Sequence, residues 1–261
     1  MKWLVCIIGS LRGGRWAVDS LKKYVLGPLG ADLAVLQGYG EMNYPGATHI
    51  WRVKEYSNWE RILNVTLPTD WRRKVRPIPN LWGPVDNLPG SGAITFALRR
   101  VLLKYLDAMT DPIYDIVLLT RSDHVYGCAH PLINVSVAEV CVMEGQNWNG
   151  VNDRHTVFRY EDRARVLDVH RWLVNNASGV VAINNPETAL KAYYAAGGLT
   201  VRSFKRVAFT YKEARDQTRW GVIRHRPCGT GHSKYPQEHA MVVRTCKRDP
   251  CRDMRRTRRG S

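Results

Sequence analysis

No stretch of this 261-residue chain approaches the ~18 consecutive apolar residues that a bilayer-spanning helix needs, which sets aside a helical membrane protein. No internal repeat is visible, so solenoids and propellers are set aside too. No Pro/Gly/Ser-rich linker divides the chain. One domain is expected over residues 1–245, followed by a basic, disordered tail over 246–261. Met1 to Gly9 carry only a short apolar run with no small-residue cleavage site. They read as a first strand and not as a secretory signal, and the expected location is cytoplasmic. The six cysteines are Cys6, Cys128, Cys141, Cys228, Cys246 and Cys251. Without a signal peptide they predict no disulfide framework. Cys246 and Cys251 have the spacing of half a zinc site but lack a clear second pair.

Two nucleotide-binding signatures are also missing. The turn Gly9-Ser-Leu-Arg-Gly-Gly-Arg15 is not followed by Gly-Lys-Ser/Thr, so it is no P-loop. Its glycine spacing is not that of a dinucleotide fingerprint, and Asp32 begins the second strand where an acidic residue should end it. A Rossmann dehydrogenase or methyltransferase is therefore disfavoured.

Positive charge is in excess. The net charge is +16, of which residues 247–261, with seven Lys/Arg and two Asp, supply +5. The remainder lies on the body and favours phosphorylated or polyanionic partners. The tail suits nucleic acid or an acidic membrane surface.

Strand and helix patterns alternate. Lys2–Ile8 reads as a strand, Trp16–Leu26 as an amphipathic helix stopped by Gly27-Pro28, and Asp32–Leu36 and Thr48–Val53 as strands. Ser57 is placed to cap a helix through Leu63. Residues 64–92, with five prolines, look irregular. Ser91-Gly92 opens a long helix, Ala93–Met109, and the aliphatic run Ile116–Leu119 then reads as a strand covered on both faces. Val135–Val142 and Thr200–Tyr211 carry strand signal. Arg163–Val174 reads as a helix, as does Pro186–Ala196 with Asn185 as its cap. This order predicts an α/β layer structure with a mainly parallel central sheet flanked by helices and a mixed C-terminal part.

Five groups of residues could carry chemistry. Gly9, Ser10 and Arg12 lie in the first turn, where glycine lets backbone approach a ligand and arginine meets phosphate. Pro89-Gly-Ser-Gly opens the long helix, where free N–H groups favour an anion. Arg121, Ser122, Asp123 and His124 follow the central strand, where ligands of open α/β sheets bind. There Asp123 suits Mn²⁺ or Mg²⁺ through oxygen, with His124 ligating or supporting it. The loop Met143–His155 gathers Glu144, Asn147, Trp148, Asn149, Asp153, Arg154 and His155, a mixture of aromatic, amide and charged groups that suits a sugar. Asp153, at the loop's end, is a candidate general base. Asp216-Gln-Thr-Arg-Trp-Gly221, with His225, His232 and His239, is the fifth.

In this order, the residues resemble a glycosyltransferase of the GT-A fold. Such enzymes bind a nucleotide sugar over the ends of the sheet, and an arginine-bearing helix precedes a strand ending in Asp-x-Asp. Arg121-Ser-Asp123 is similar to that motif with its first carboxylate replaced, and Asn152-Asp153 to the acidic pair whose final Asp is the base in inverting members. The chain also looks like glycosyltransferase-like proteins of algae and their large DNA viruses.

The resemblance implies transfer of a sugar from a nucleoside-diphosphate sugar, UDP-sugar favoured, to a glycan or glycoprotein hydroxyl with inversion, assisted by a divalent metal on Asp123 and His124. It places the donor against Gly9, Ser10, Arg12, Arg99, Arg121, Ser122 and Asp123. Glu144, Asn147, Trp148, Asn149, Arg154 and His155 would form the sugar or acceptor pocket, and Asp153 would be the base. It further implies that Asp123→Ala and Asp153→Asn chains fold but transfer nothing. The rival reading is a basic nucleic-acid-binding protein without catalysis.

Overall fold

The computed structural model describes the chain apart from residues 55, 57–59, 75–77, 89, 112, 177–182, 214–215, 217–231 and 253–261. The strands are β1 (Trp3–Ile8), β2 (Asp32–Gly38), β3 (His49–Val53), β4 (Ile116–Thr120), β5 (His124–Tyr126), β6 (Glu139–Met143), β7 (Thr156–Arg159), β8 (Thr200–Phe204), β9 (Ala208–Lys212) and β10 (His232–Ser233). The helices are α1 (Gly14–Leu21), α2 (Gly27–Leu29), α3 (Glu60–Thr66), α4 (Trp71–Lys74), α5 (Gly92–Ala108), α6 (Arg163–Leu167), α7 (Val169–Asn176), α8 (Pro186–Ala196) and α9 (Pro236–Cys246).

Seven strands form one sheet in the order β3-β2-β1-β4-β7-β6-β8. Only β7 runs against its neighbours β4 and β6; every other pairing is parallel. The fold is thus α/β with a mostly parallel central sheet, as the alternation of patterns predicts. β1 and β4 are paired in register, Leu4 with Val117 and Cys6 with Leu119. Alternate side chains enter two cores, because successive Cβ atoms of a strand point to opposite faces. Leu4, Cys6, Val117 and Leu119 meet Phe96, Leu102 and Leu106 of α5. Val5, Ile7, Ile116 and Leu118 meet Leu21, Val25 and Leu29 of the first helical segment. Helical cover on both faces explains why β1 and β4 read as continuous apolar runs. A small antiparallel sheet, β10-β9-β5, lies beside the main one.

Several boundaries differ from expectation. Gly27-Pro28 does not end the first helix. A π-turn over Lys22–Leu26 leads into α2, and Gly30, in the left-handed conformation at φ 56°, closes it. The Val135–Val142 strand begins only at Glu139, and the Thr200–Tyr211 signal divides into β8 and β9. The proposed Ser57 cap lies outside the described residues. The tail boundary moves outward: Cys246 closes α9, Cys251 is buried, and Cys251 N–H bonds Asp249. Residues 253–261 lie outside the description. Among the described residues, no helix is long and apolar enough to cross a membrane.

Candidate functional site at the carboxyl edge of the sheet

After β1 the chain crosses to β2 on one side, and it returns to β4 on the other. The turns after β1 and β4 therefore flank a switch point, the usual crevice of an open α/β sheet. Gly13, at φ 83°, lets the two turns touch. A Cβ there would lie 2.9 Å from the Asp123 Cα. The Arg12 N–H donates to Ser122 Oγ at 3.1 Å, and Ser122 Oγ donates to the Ser10 carbonyl at 3.1 Å. Two further N–H groups of this turn meet the chain's own carboxylates. Leu11 donates to Glu41 Oε1 at 2.9 Å and Gly13 to Asp216 Oδ2 at 2.9 Å. The N–H groups opening α5 do not offer an anion site. Gly92 and Ala93 donate to the Asn80 and Gly83 carbonyls, and the glycine at 92 accommodates the Leu81 backbone.

Asp123 is fully buried and committed. Arg121 Nε and Nη2 donate to its two oxygens at 2.7 and 2.6 Å, and Arg12 Nη2 lies 3.5 Å away. Burial pushes this carboxyl up, but Arg121 and then Arg12 outweigh it and hold it well below the usual carboxylate range. His124 turns to Thr120 Oγ1 at 3.1 Å. These two residues do not fit as ligands of Mn²⁺ or Mg²⁺: both oxygens of Asp123 bind a guanidinium, and the imidazole belongs to an interior cluster. The expected metal pair is corrected on that ground. Arg99 is corrected as well. It is buried, and its Nη2 donates to the Asp153 carbonyl at 2.7 Å, so it positions Asp153 and does not reach a donor.

His155 likewise leaves the expected pocket. Buried His124, His130 and His155 join Thr120 and Tyr126 in one network. The hydrogen bonds fix the protons. His130 Nδ1 donates to the Pro131 carbonyl at 2.8 Å, so its Nε2 accepts from His155 Nε2 at 3.0 Å. His155 Nδ1 then accepts from Thr120, which leaves Thr120 to accept from His124 Nδ1. Every ring is neutral. Burial lowers His130 to about 4 and His124 to about 3, and takes His155 well down.

The loop Met143–His155 does converge on the β4 edge. Asn152 pins it, donating to the Met143 and Gly145 carbonyls at 3.1 and 3.0 Å. Gln146, Trp148 and Asn149 adopt positive φ. This geometry projects Trp148, 53% exposed, with its ring 6.3 Å from that of Tyr235. Asn147 and Asn149 are exposed, and Glu144 is half-buried. Arg154 is buried, donating to Glu238 Oε1 at 2.8 Å, and its guanidinium lies 5.0 Å over the Tyr235 ring.

Asp153 follows, and its buried Oδ1 makes no hydrogen bond among the described residues. Arg154 Nε is 3.6 Å away, and Arg154 Nη2 and His124 Nε2 are buried without hydrogen bonds too. Beside Asp153 stands Glu187, in the first turn of α8. Burial, and next the negative charge of Asp153, push its carboxyl up to about 7. Lys234 completes the group; burial, then Arg121 and Arg154, lower it to about 8. The negative charges of Asp123, and next of Asp153, both favour the charged form of Arg121.

Glu187, Lys234, Tyr235 and Glu238 were not legible as site residues. Glu187 reads as an ordinary acid in a helix's first turn, and the others follow a weak two-residue strand. Of the fifth group, Asp216 reaches the β1 turn and His232 lies in β10, while Thr218, Arg219, Trp220 and His225 lie outside the described residues. No protein-family model matches this chain, and a search of curated proteins finds no match.

Proposed function

We propose that the chain is a GT-A-like glycosyltransferase that moves a sugar from a nucleoside-diphosphate sugar, UDP-sugar favoured, to a glycan or glycoprotein hydroxyl with inversion. The observation that carries this reading is the pair Asp153–Glu187, set beside an aromatic wall of Trp148 and Tyr235 at the carboxyl edge of a mostly parallel sheet. Rings suit the apolar face of a sugar, and two carboxylates in unlike environments suit proton transfer. In the displacement, the acceptor oxygen bonds to the anomeric carbon as the carbon–phosphate oxygen bond breaks. The acceptor proton passes to the Asp153 carboxylate, and the electron pair leaves on the diphosphate. Arg12, Arg121, Arg154 and Lys234 line that edge with positive charge and oppose the charge that develops. No step is routed through a metal, because the oxygens of Asp123 are already held by arginine.

A thermal-shift panel of nucleoside diphosphates and nucleotide sugars, each with and without Mn²⁺, tests this reading. One nucleotide should stabilise the full chain by the same amount in both arms. Failure of every nucleotide to stabilise the chain would refute the proposal. If nucleic acid alone stabilises it, in a strongly salt-dependent manner, the binding-protein reading replaces it.

A further inference from the structure

We propose that Asn134 carries an N-linked glycan and that the chain folds in an oxidising, secretory compartment. The state of the cysteines and the setting of one tripeptide point there independently.

Cys128 and Cys246, 118 positions apart, are joined as a disulfide. It ties the end of α9 to the bend after β5. Cys251 is disulfide-bonded as well, and the free described cysteines, Cys6 and Cys141, are buried. The expectation of no disulfide framework is overturned, and Cys246 and Cys251 are not half of a zinc site. Such bridges form and persist in the secretory lumen, whereas a reducing cytosol keeps thiols apart. In the lumen two thiols give two electrons and two protons to a disulfide-bearing oxidant, which leaves as a dithiol.

Asn-x-Ser/Thr tripeptides are glycan acceptors in that compartment. The chain has three: Asn64-Val-Thr66, Asn134-Val-Ser136 and Asn176-Ala-Ser178. Asn64 lies in α3, and its Oδ1 accepts from Trp71 Nε1 at 2.9 Å. Asn176 ends α7, and its Nδ2 donates to the Trp172 carbonyl at 2.9 Å. Asn134 differs. It lies in irregular backbone ahead of β6, and both it and Ser136 are exposed, while Val135 between them is buried and anchors the segment. The contacts that hold this stretch use other atoms. Arg202 Nη2 donates to the Asn134 carbonyl at 2.6 Å, and the Ser136 N–H donates to Glu139 Oε2 at 3.0 Å. The Asn134 side-chain amide is left to solvent, so a glycan on it displaces no contact of the fold.

The surroundings suit a glycan. Leu132 and Val137 are 76% and 61% exposed. Next to them β8, paired only with β6, forms an exposed edge of the sheet. Bare apolar side chains beside an open strand edge invite another chain, and a hydrated glycan on Asn134 would screen them. β6 runs parallel to β4, since both oppose β7. The segment before β6 therefore stands at the amino edge of the sheet, and its glycan leaves the carboxyl edge, with Asp153, open. In the transfer, Asn134 Nδ2 bonds to the anomeric carbon of an oligosaccharide held as a lipid diphosphate. The carbon–phosphate oxygen bond breaks with its electron pair on the diphosphate, and Nδ2 gives up one proton.

The test directs the full chain, behind a cleavable leader, into the secretory lumen of eukaryotic cells. Peptide mass spectrometry of the folded product should find Asn134 occupied in most chains, and the Cys128 and Cys246 peptides linked until reduction. Digestion with an amidase that removes N-glycans should convert Asn134 to aspartate. Asn134→Gln and Ser136→Ala should each lose this glycan. Should either variant not fold, the peptide map of the parent chain decides alone. The parent chain made in a reducing cytosol should melt several degrees lower than the lumenal one after its glycan is removed. An unoccupied Asn134, free thiols at Cys128 and Cys246, a chain that fails to fold in the lumen, or equal melting of the two products would overturn the proposal.

Discussion

Asp153 and Glu187 together govern how proton chemistry at this site should depend on pH. Glu187 carries a folded-state pKa near 7, raised above that of an unfolded glutamate, about 4.3. A raised carboxyl binds its proton more tightly in the folded chain, so it favours folding fully below the unfolded value. That contribution is lost as pH rises from about 4.3 toward 7. Glu187→Gln should therefore be more stable than the parent at pH 8, and the gain should shrink to nothing near pH 4. Denaturant melts across that range check it, and a gain independent of pH would contradict the coupling. Asp123 gives the opposite expectation. Removing it leaves two arginines beside an empty partner position. Asp123→Ala should lose about 3–5 kcal/mol of stability, where the sequence alone predicts a chain that folds normally. An unchanged urea midpoint would contradict the ion pair.

The residues themselves show how far the sequence could be read. The place of Arg121 and Asp123 at the end of β4 was legible, because polar groups after an apolar run fall at the edge of a buried strand. Which oxygen meets which cation was not. Arg121 stands two positions from Asp123, and spacing does not say whether it folds back on the carboxylate or faces a ligand. The histidine network was hidden for a similar reason. His124, His130 and His155 come from three segments, and only the pairing of strands brings them together.

At the scale of elements, β1 to β4 and the helices α5 and α8 were legible from periodicity, α8 with its cap and both ends, whereas β5, β7 and α9 were not read. In the α8 cap, the Asn185 side chain accepts from the Thr188 N–H at 2.8 Å, and Thr188 bonds back. Of the short helices, α3 was read only as far as Leu63 and α4 was not read, since prolines and the tertiary packing of Trp71 decide that stretch. Contact between the loop carrying Asp153 and α8 was also beyond the sequence. It depends on Gly150, where a Cβ would run into the Glu187 backbone, and on the Val151 N–H bond to the Glu187 carbonyl at 2.9 Å. Gly150→Ala should push this loop from α8, costing about 1–3 kcal/mol and separating the two carboxylates. A thermal melt matching that of the parent chain would contradict this account of the loop.

On the scale of the whole molecule, the excess of +16 was legible and its distribution was not. Some of the arginine is spent inside. Arg99, Arg154 and Arg206 are buried, and Glu238 lies between Arg154 and Arg206 at 2.8 and 3.3 Å. What sequence separation concealed was convergence: β4, the loop before β7, the start of α8 and the residues before α9 all deliver charge to one edge of the sheet. If that edge is where sugar is transferred, the contribution of Asp153 is measurable as nucleoside diphosphate released from a nucleotide sugar by the full chain and by Asp153→Asn, with melting temperatures taken in parallel. The prediction is a rate lower by ~10²–10⁴-fold in the variant, with both chains melting alike. Equal rates in the two chains would contradict it, as would a wild-type chain that turns over no nucleotide sugar.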